Sequence, residues 1–332
     1  MTSTPARSEP RSTMSNLPDY DDLPVSPDKP PHSAWGVWGD DDEVGAINLL
    51  TSDRVIEGAS LVRKGAVFPL NWDLELPDPP FYGRGPLRHT IVDQGDGQDD
   101  FYDAFYPQQS SQWDGLSHVG HSDHGYYNGR TPADFTGRPG SKNGVEHWAR
   151  RGIVGRGVLL DAERHFASTE RPIVPDETRD ITVDDLRAIA DAQGTELREG
   201  DILLIRTGWM QWYDQTTPAQ RADIATVAVA QTMGGPGLEA SREMARFLWN
   251  THVAGAATDT STFEAWPHRF RPGEYLHMDV LALLGIPIGE MWYLDALAAD
   301  CASDGVYEFM LTSAPLNKIG GVASPPNALA IK

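Results

Sequence analysis

From residue 150 onward the chain alternates short apolar runs with one-faced amphipathic segments, a pattern that restricts it to layers of helix packed on sheet. Arg156–Asp161 (RGVLLD) and Asp201–Thr207 (DILLIRT) are short, apolar and rich in branched residues, and read as buried strands. Between them Thr182–Gln193 reads as a helix, with Thr182 as its cap, Asp185 at the capping-box position and Gly194 as its stop. Leu238–Asn250 puts apolar residues at 238, 244, 247 and 248 on one face and leads into a strand over Val253–Thr258. Tyr275–Leu284 reads as a helix stopped by Gly285, Ile286–Trp292 as extended, Leu294–Cys301 as a helix and Val306–Thr312 as a strand. The expected fold class is α/β.

The first thirty residues hold six prolines and little to bury, so residues 1–33 are expected to form a flexible arm ahead of one domain spanning 34–332. Asp93–Asp103 carries five aspartates and no cation, and reads as a solvated loop because its spacing does not follow a calcium-binding hand. With 27 basic against 48 acidic residues the net charge is −21, which repels a phosphate backbone or an anionic leaflet. Neither nucleic acid nor membrane is an expected partner. The single cysteine, Cys301, excludes an internal disulfide and a cysteine-built zinc site, and Asp300 and Asp304 beside it disfavour a thiolate. With no apolar run long enough to span a bilayer and no apolar leader, the expected location is cytoplasmic.

Chemistry concentrates in Ser111–Asn128, where His118, His121 and His124 stand among Asp114 and Asp123. Imidazole and carboxylate at short spacing suit a first-row metal ion or an acid/base pair, while a glycine-punctuated loop also carries solvated histidines. A serine nucleophile lacks its GxSxG context, and Gly234-Gly235-Pro236-Gly237 reads as a turn rather than a phosphate cradle.

The string Gln112–His118 (QWDGLSH) resembles the HxGTHxDxPxH signature of the cyclase family, metal-dependent hydrolases typified by bacterial kynurenine formamidase and isatin hydrolase. On that pattern Asp114 takes the aspartate and His118 the last histidine, whereas the two earlier histidine positions fall on Gln108 and Gln112, and the GT pair on Ser110 and Ser111. The family's downstream histidine and glutamate resemble His277 and Glu290, and GRGVLLD, GDILLIRTGW, ATDTSTFE and PLNKIGGVASPPNALAIK extend the likeness over residues 35–332. The resemblance implies a swivelling β/β/α architecture, a homodimer or homotetramer, and a small-molecule substrate. It also implies one divalent ion, Mn²⁺ or Zn²⁺, on Asp114, His118, His277 and Glu290, with Gln108 and Gln112 at the remaining ligand positions. His118 would move the proton, with Asp114 beside it. Trp113, Trp38, Tyr126 and His121 are candidate substrate contacts, with Trp35, Tyr127, Asp123 and His124 nearby; packing or solvation is the alternative for each. The implied activity is hydrolysis of a non-peptide C–N bond in a small cyclic or linear amide, or of a lactone. The alternatives are a metal-free acid/base cyclase or isomerase, and a degenerate member that binds a small ligand without turnover.

Overall fold

The computed structural model describes residues 17–332. Its strands, in chain order, are Val67–Pro69 (β1), Arg88–Asp93 (β2), Gln98–Asp103 (β3), Gln112–Asp114 (β4), Ile153–Asp161 (β5), Arg179–Ile181 (β6) and Ile202–Arg206 (β7). Pro236–Leu238 (β8), Gly255–Thr258 (β9), Ile288–Glu290 (β10), Glu308–Ser313 (β11), Ala323–Ser324 (β12) and Ala328–Ile331 (β13) follow. Nine of them form one curled sheet in the order β1-β13-β11-β5-β7-β9-β10-β4-β12. Its centre, β5-β7-β9-β10, is parallel, and the strands that flank it pair antiparallel. Parallel strands need helical crossovers that cover the sheet, which explains the near-continuous apolar runs of β5 and β7. Helices Ser52–Ala59 and Val183–Gln193 pack against β5. No helix among the described residues is long and apolar enough to cross a membrane.

The local chemistry accounts for several boundaries. Thr182 accepts from the Asp185 amide, the Asp185 carboxylate caps in return, and Gly194 closes the helix in the left-handed region, as the spacing predicts. Helix Arg242–Asn250 starts later than its apolar pattern: Leu238 ends β8, and Ser241, whose side chain accepts from the Met244 amide, sets the true cap. The segment expected as a helix over Tyr275–Leu284 contains a π-helical stretch, His277–Leu283, ended by Gly285 at φ +67°. A side chain on Gly285 would strike the Tyr127 ring, and one on Gly289 would strike Ala257 and Trp292, so both positions require glycine for close approach.

Two expectations change. Asp93–Asp103 is no loop: β2 and β3 form an isolated antiparallel ribbon, exposed along its whole length. The arm holds to the fold from its described start. Tyr20 is 3% exposed and stacks on His32, its amide donates to the Asn250 side chain, and Leu23 and Ala34 join the main core. Two aromatics and a leucine supplied enough apolar surface to dock a proline-rich segment. Residues 1–16 lie outside the described residues. Cys301 is buried on helix Asp295–Asp304 with Lys332 Nζ 3.6 Å from its sulfur, and burial pushes its thiol up to about 12.

Candidate functional site

The site is built on the β4–β10 pair. Gln112 lies opposite Glu290 and Asp114 opposite Ile288, so the period of two puts Gln112, Asp114 and Glu290 on one face. The alternate face takes Trp113 into the core, where its ring packs edge-on to Trp292 at 4.6 Å and its Nε1–H donates to Ser313. Met291, at φ +52°, turns the chain directly after Glu290, its amide donating to the Thr260 carbonyl at 2.8 Å. His277 arrives from the start of the π-helical stretch, and π-helical turns recur where a helix must present a functional side chain.

Asp114, His277 and Glu290 are all buried, and each offers a ligand atom within 4.8 Å of the others. His277 Nε2 lies 3.1 Å from Glu290 Oε1 and 3.7 Å from Asp114 Oδ2, and its Nδ1 lies 2.9 Å from Glu264 Oε2. Gln112 Nε2 donates to Glu290 at 2.5 Å and reaches Asp114 at 3.4 Å, while its carbonyl Oε1 is buried without a donor. His118 Nε2 sits 3.5 Å from Asp114 Oδ1, and its side chain is 24% exposed where the other members of the cluster are closed off.

The electrostatics follow from three buried carboxylates, Asp114, Glu264 and Glu290, gathered around His277. Burial alone would raise Asp114, but His118, His277 and Arg84 together outweigh it and hold the carboxyl below its usual range. Burial and then the Asp114 charge push Glu290 up to about 7. Burial would lower His277, yet Glu264 above all, with Tyr275 and Asp114, drives it well above the ordinary value. His118 goes the other way: burial, then the positive His277 and Arg84, lower it against the pull of Asp114. Buried negative charge needs a paired or bound cation, and here a single imidazolium faces Asp114, Glu264 and Glu290. Two carboxylates, an imidazole and a buried amide oxygen without a donor fit a divalent ion.

A cavity of about 160 Å³ opens on this cluster, lined by Tyr82, Arg84, His118, Trp266, Tyr275 and His277 among others. The aromatic wall is therefore Tyr82, Trp266, Phe270 and Tyr275, with Tyr275 stacked on His277 at 4.8 Å. It is not the expected set. Trp113 is in the core, Trp38 packs edge-on against Trp249 and Tyr126 against Phe135. His121 is a buried hairpin residue bridged to Gly125 and stacked on exposed His124. Tyr127 donates to Asp42, and Trp35 to the Ala282 carbonyl. Gln108 precedes the strand, so the two-residue period does not carry it onto the cluster; it lines a separate cavity with Pro107, Leu316 and Val322, and its backbone carbonyl accepts from Arg84.

Glu264, Arg84 and Tyr275 went unnoticed as site residues. Glu264 closes the string ATDTSTFE just beyond β9, and its carboxylate ending such a polar run was the available signal.

A family model described as "Putative cyclase" matches residues 62–265, which include Asp114 and Glu264 and stop short of His277 and Glu290. A solved structure described as a novel cyclase is 33% identical with a TM-score of 0.77, covering 90% of this chain and 99% of its own. Isatin hydrolase A from Labrenzia aggregata is 20% identical with a TM-score of 0.54, covering 84% of this chain and 97% of that one. Isatin hydrolase A from Ralstonia solanacearum is 19% identical with a TM-score of 0.55, covering 80% and 92%. At those identities the two hydrolases share the α/β fold with this chain. No curated protein matches it.

Proposed function

The chain belongs to the cyclase family, and from that premise we propose that it is a metal-dependent hydrolase of a non-peptide C–N bond in a small cyclic or linear amide, with a lactone as the next candidate. The observation that carries this reading is the buried Asp114–His277–Glu290 group beside an orphaned Gln112 carbonyl. Asp114, His277 and Glu290 would hold the ion, and the oxygen-rich set favours Mn²⁺ over Zn²⁺. Bound there, such an ion lowers the pKa of a water towards roughly 7 and polarises a substrate carbonyl.

The chain's own residues supply the rest. His118 lines the cavity and is held neutral, so its Nε2 can take a proton from the attacking water and return it to the leaving nitrogen. Such a transfer contributes roughly 10²–10⁴-fold. Asp114, 3.5 Å from His118, stabilises the imidazolium that forms. Glu264 accepts from His277 Nδ1–H and fixes which ring nitrogen faces Glu290. The walls of Tyr82, Trp266 and Tyr275 exclude water and receive the apolar part of the substrate.

Elemental analysis of tag-free protein dialysed against metal-free buffer tests the reading, coupled to turnover of an amide panel with and without EDTA. About one ion per chain and activity lost in EDTA and restored by Mn²⁺ support it. Turnover that survives with no ion would transfer the reaction to metal-free acid/base catalysis by His118 and Asp114, and neither ion nor turnover would leave a binding protein.

A further inference from the structure

Glu264 has two carboxylate oxygens, and they are unequally served. Oε2 lies 2.9 Å from His277 Nδ1, whereas Oε1 is buried with no hydrogen-bond partner among the described residues. A second orphan stands 3.9 Å from that oxygen: Nδ1 of His268, on a side chain 3% exposed, is also buried and also unpaired. Buried polar groups are nearly always paired, and a buried pair left unmade is costly. The two orphans answer one another if the gap closes from 3.9 Å to the 2.9 Å that His277 already keeps.

The chemistry of the two groups sets the direction of that bond. Burial alone would raise Glu264, but His277 outweighs it, so the carboxylate stays ionised and can only accept. Burial lowers His268 to about 4 against the pull of Glu264, so its ring is neutral near pH 7 and carries one proton, on either nitrogen. A bare Nδ1 would set its lone pair against those of Oε1, whereas an Nδ1–H meets them as a donor.

The surroundings permit the movement. The His268 ring lines the cavity 6.2 Å from the His277 ring, with Trp266 edge-on at 4.0 Å, Tyr275 at 5.1 Å and Phe270 at 5.5 Å. Its backbone lies outside the helices and strands, beside exposed Arg269, Phe270 and Arg271, and both arginines pair with Glu274. A shift there displaces no sheet or helix.

We propose that His268 is a positioning residue: its Nδ1–H closes onto Glu264 Oε1, clamping Glu264 between two imidazoles and so holding His277 Nε2 turned toward Asp114 and Glu290. The purpose of the clamp rests on the metal reading of Asp114, His277 and Glu290, but the pairing of His268 with Glu264 is measured without any ion.

Two-bond nitrogen–proton correlation spectra of wild-type protein labelled with nitrogen-15 histidine read the pairing, the His268 signals being identified by their loss in His268→Asn and His268→Phe. The expected result is a proton on Nδ1 of His268, and a proton on Nε2 instead overturns the proposal. Calorimetric titration of Mn²⁺ into wild type and both variants reads the positioning. Phenylalanine keeps a flat ring among the aromatics but has no donor, whereas asparagine carries an N–H close to the place of Nδ1. His268→Phe should weaken Mn²⁺ about tenfold, the low end of what losing an outer partner costs, and His268→Asn should stay within about threefold of wild type. Packing alone predicts the reverse order, since phenylalanine fills the space and asparagine leaves it partly empty. Unchanged affinity in His268→Phe, or a loss in His268→Asn as large as in His268→Phe, overturns the proposal. If wild type takes up no Mn²⁺, the hydrolase reading fails, and the tautomer of His268 alone decides whether the pairing stands.

Discussion

Strands β3 and β4 are near neighbours in the chain, separated only by residues 104–111, and both carry acids, yet they live in opposite environments. The β2–β3 ribbon is exposed throughout, with Asp93, Asp99, Asp100 and Asp103 in water and Ile91, Phe101 and Tyr102 at 65%, 47% and 50% exposure. Strand β4 is buried at all three residues, and Asp114 is 0% exposed. A solvated aspartate has water for its charge, so its contacts, such as Asp100 with His89 and Tyr102, are optional surface pairs. A buried one must be answered, and around Asp114 the answer is an imidazolium, an amide and a glutamate that burial and the Asp114 charge push up to about 7. The number of acids in a stretch therefore says little about function; what matters is whether the strand that bears them has a second buried face.

The sharpest way to break this contrast is Trp113→Ala, which empties the core face of β4 and should cost about 3–5 kcal/mol, read as a lowered urea midpoint. A loss under about 1 kcal/mol would mean that β4 is not anchored as its burial indicates. Next comes Asp114→Asn, which should weaken metal binding by more than the roughly 10–100-fold that losing an outer partner costs. Calorimetric titration with Mn²⁺ measures it, and an unchanged affinity would remove Asp114 from the ligand set. Gln112→His exchanges a neutral amide for an imidazole beside Asp114 and Glu290, and should tighten Mn²⁺ or Zn²⁺ about tenfold or admit a second ion. Unaltered affinity and stoichiometry would show that position 112 does not face the ion. Smallest is Phe101→Ser on the ribbon, expected to shift stability by no more than about 0.5 kcal/mol with kcat/KM unchanged. A large drop in either would show that the ribbon packs on something in solution.

The parts of the molecule governed by local rules were legible in the sequence. Thr182, Asp185 and Gly194 are read from spacing because caps depend on three or four consecutive residues, and the structure places the helix between them. The α/β layering followed from the β5 and β7 runs for the same reason. In the site, the likeness of QWDGLSH to a family signature singled out Asp114 and His118, and the structure sets both beside His277. Trp113 could have been assigned to the core from its place between two polar residues on a short strand, since alternation sends it to the opposite face. Arg84 and Tyr275 were not legible, because they line the cavity from segments distant in sequence from Asp114 and no local period connects them to it. The ribbon was misread because five aspartates outweigh Ile91, Val92, Phe101 and Tyr102 in composition, although not in backbone pairing.

Cys301 gives the molecule a use in spectroscopy. The chain's one thiol is sealed beneath Lys332 and pushed up to about 12, so near neutral pH almost none of it is present as the reactive thiolate. The wild-type protein is in effect a cysteine-free scaffold. A cysteine introduced on the ribbon, for example Asp96→Cys, would then be the one site a maleimide dye or nitroxide label finds, without background mutations to silence a native thiol.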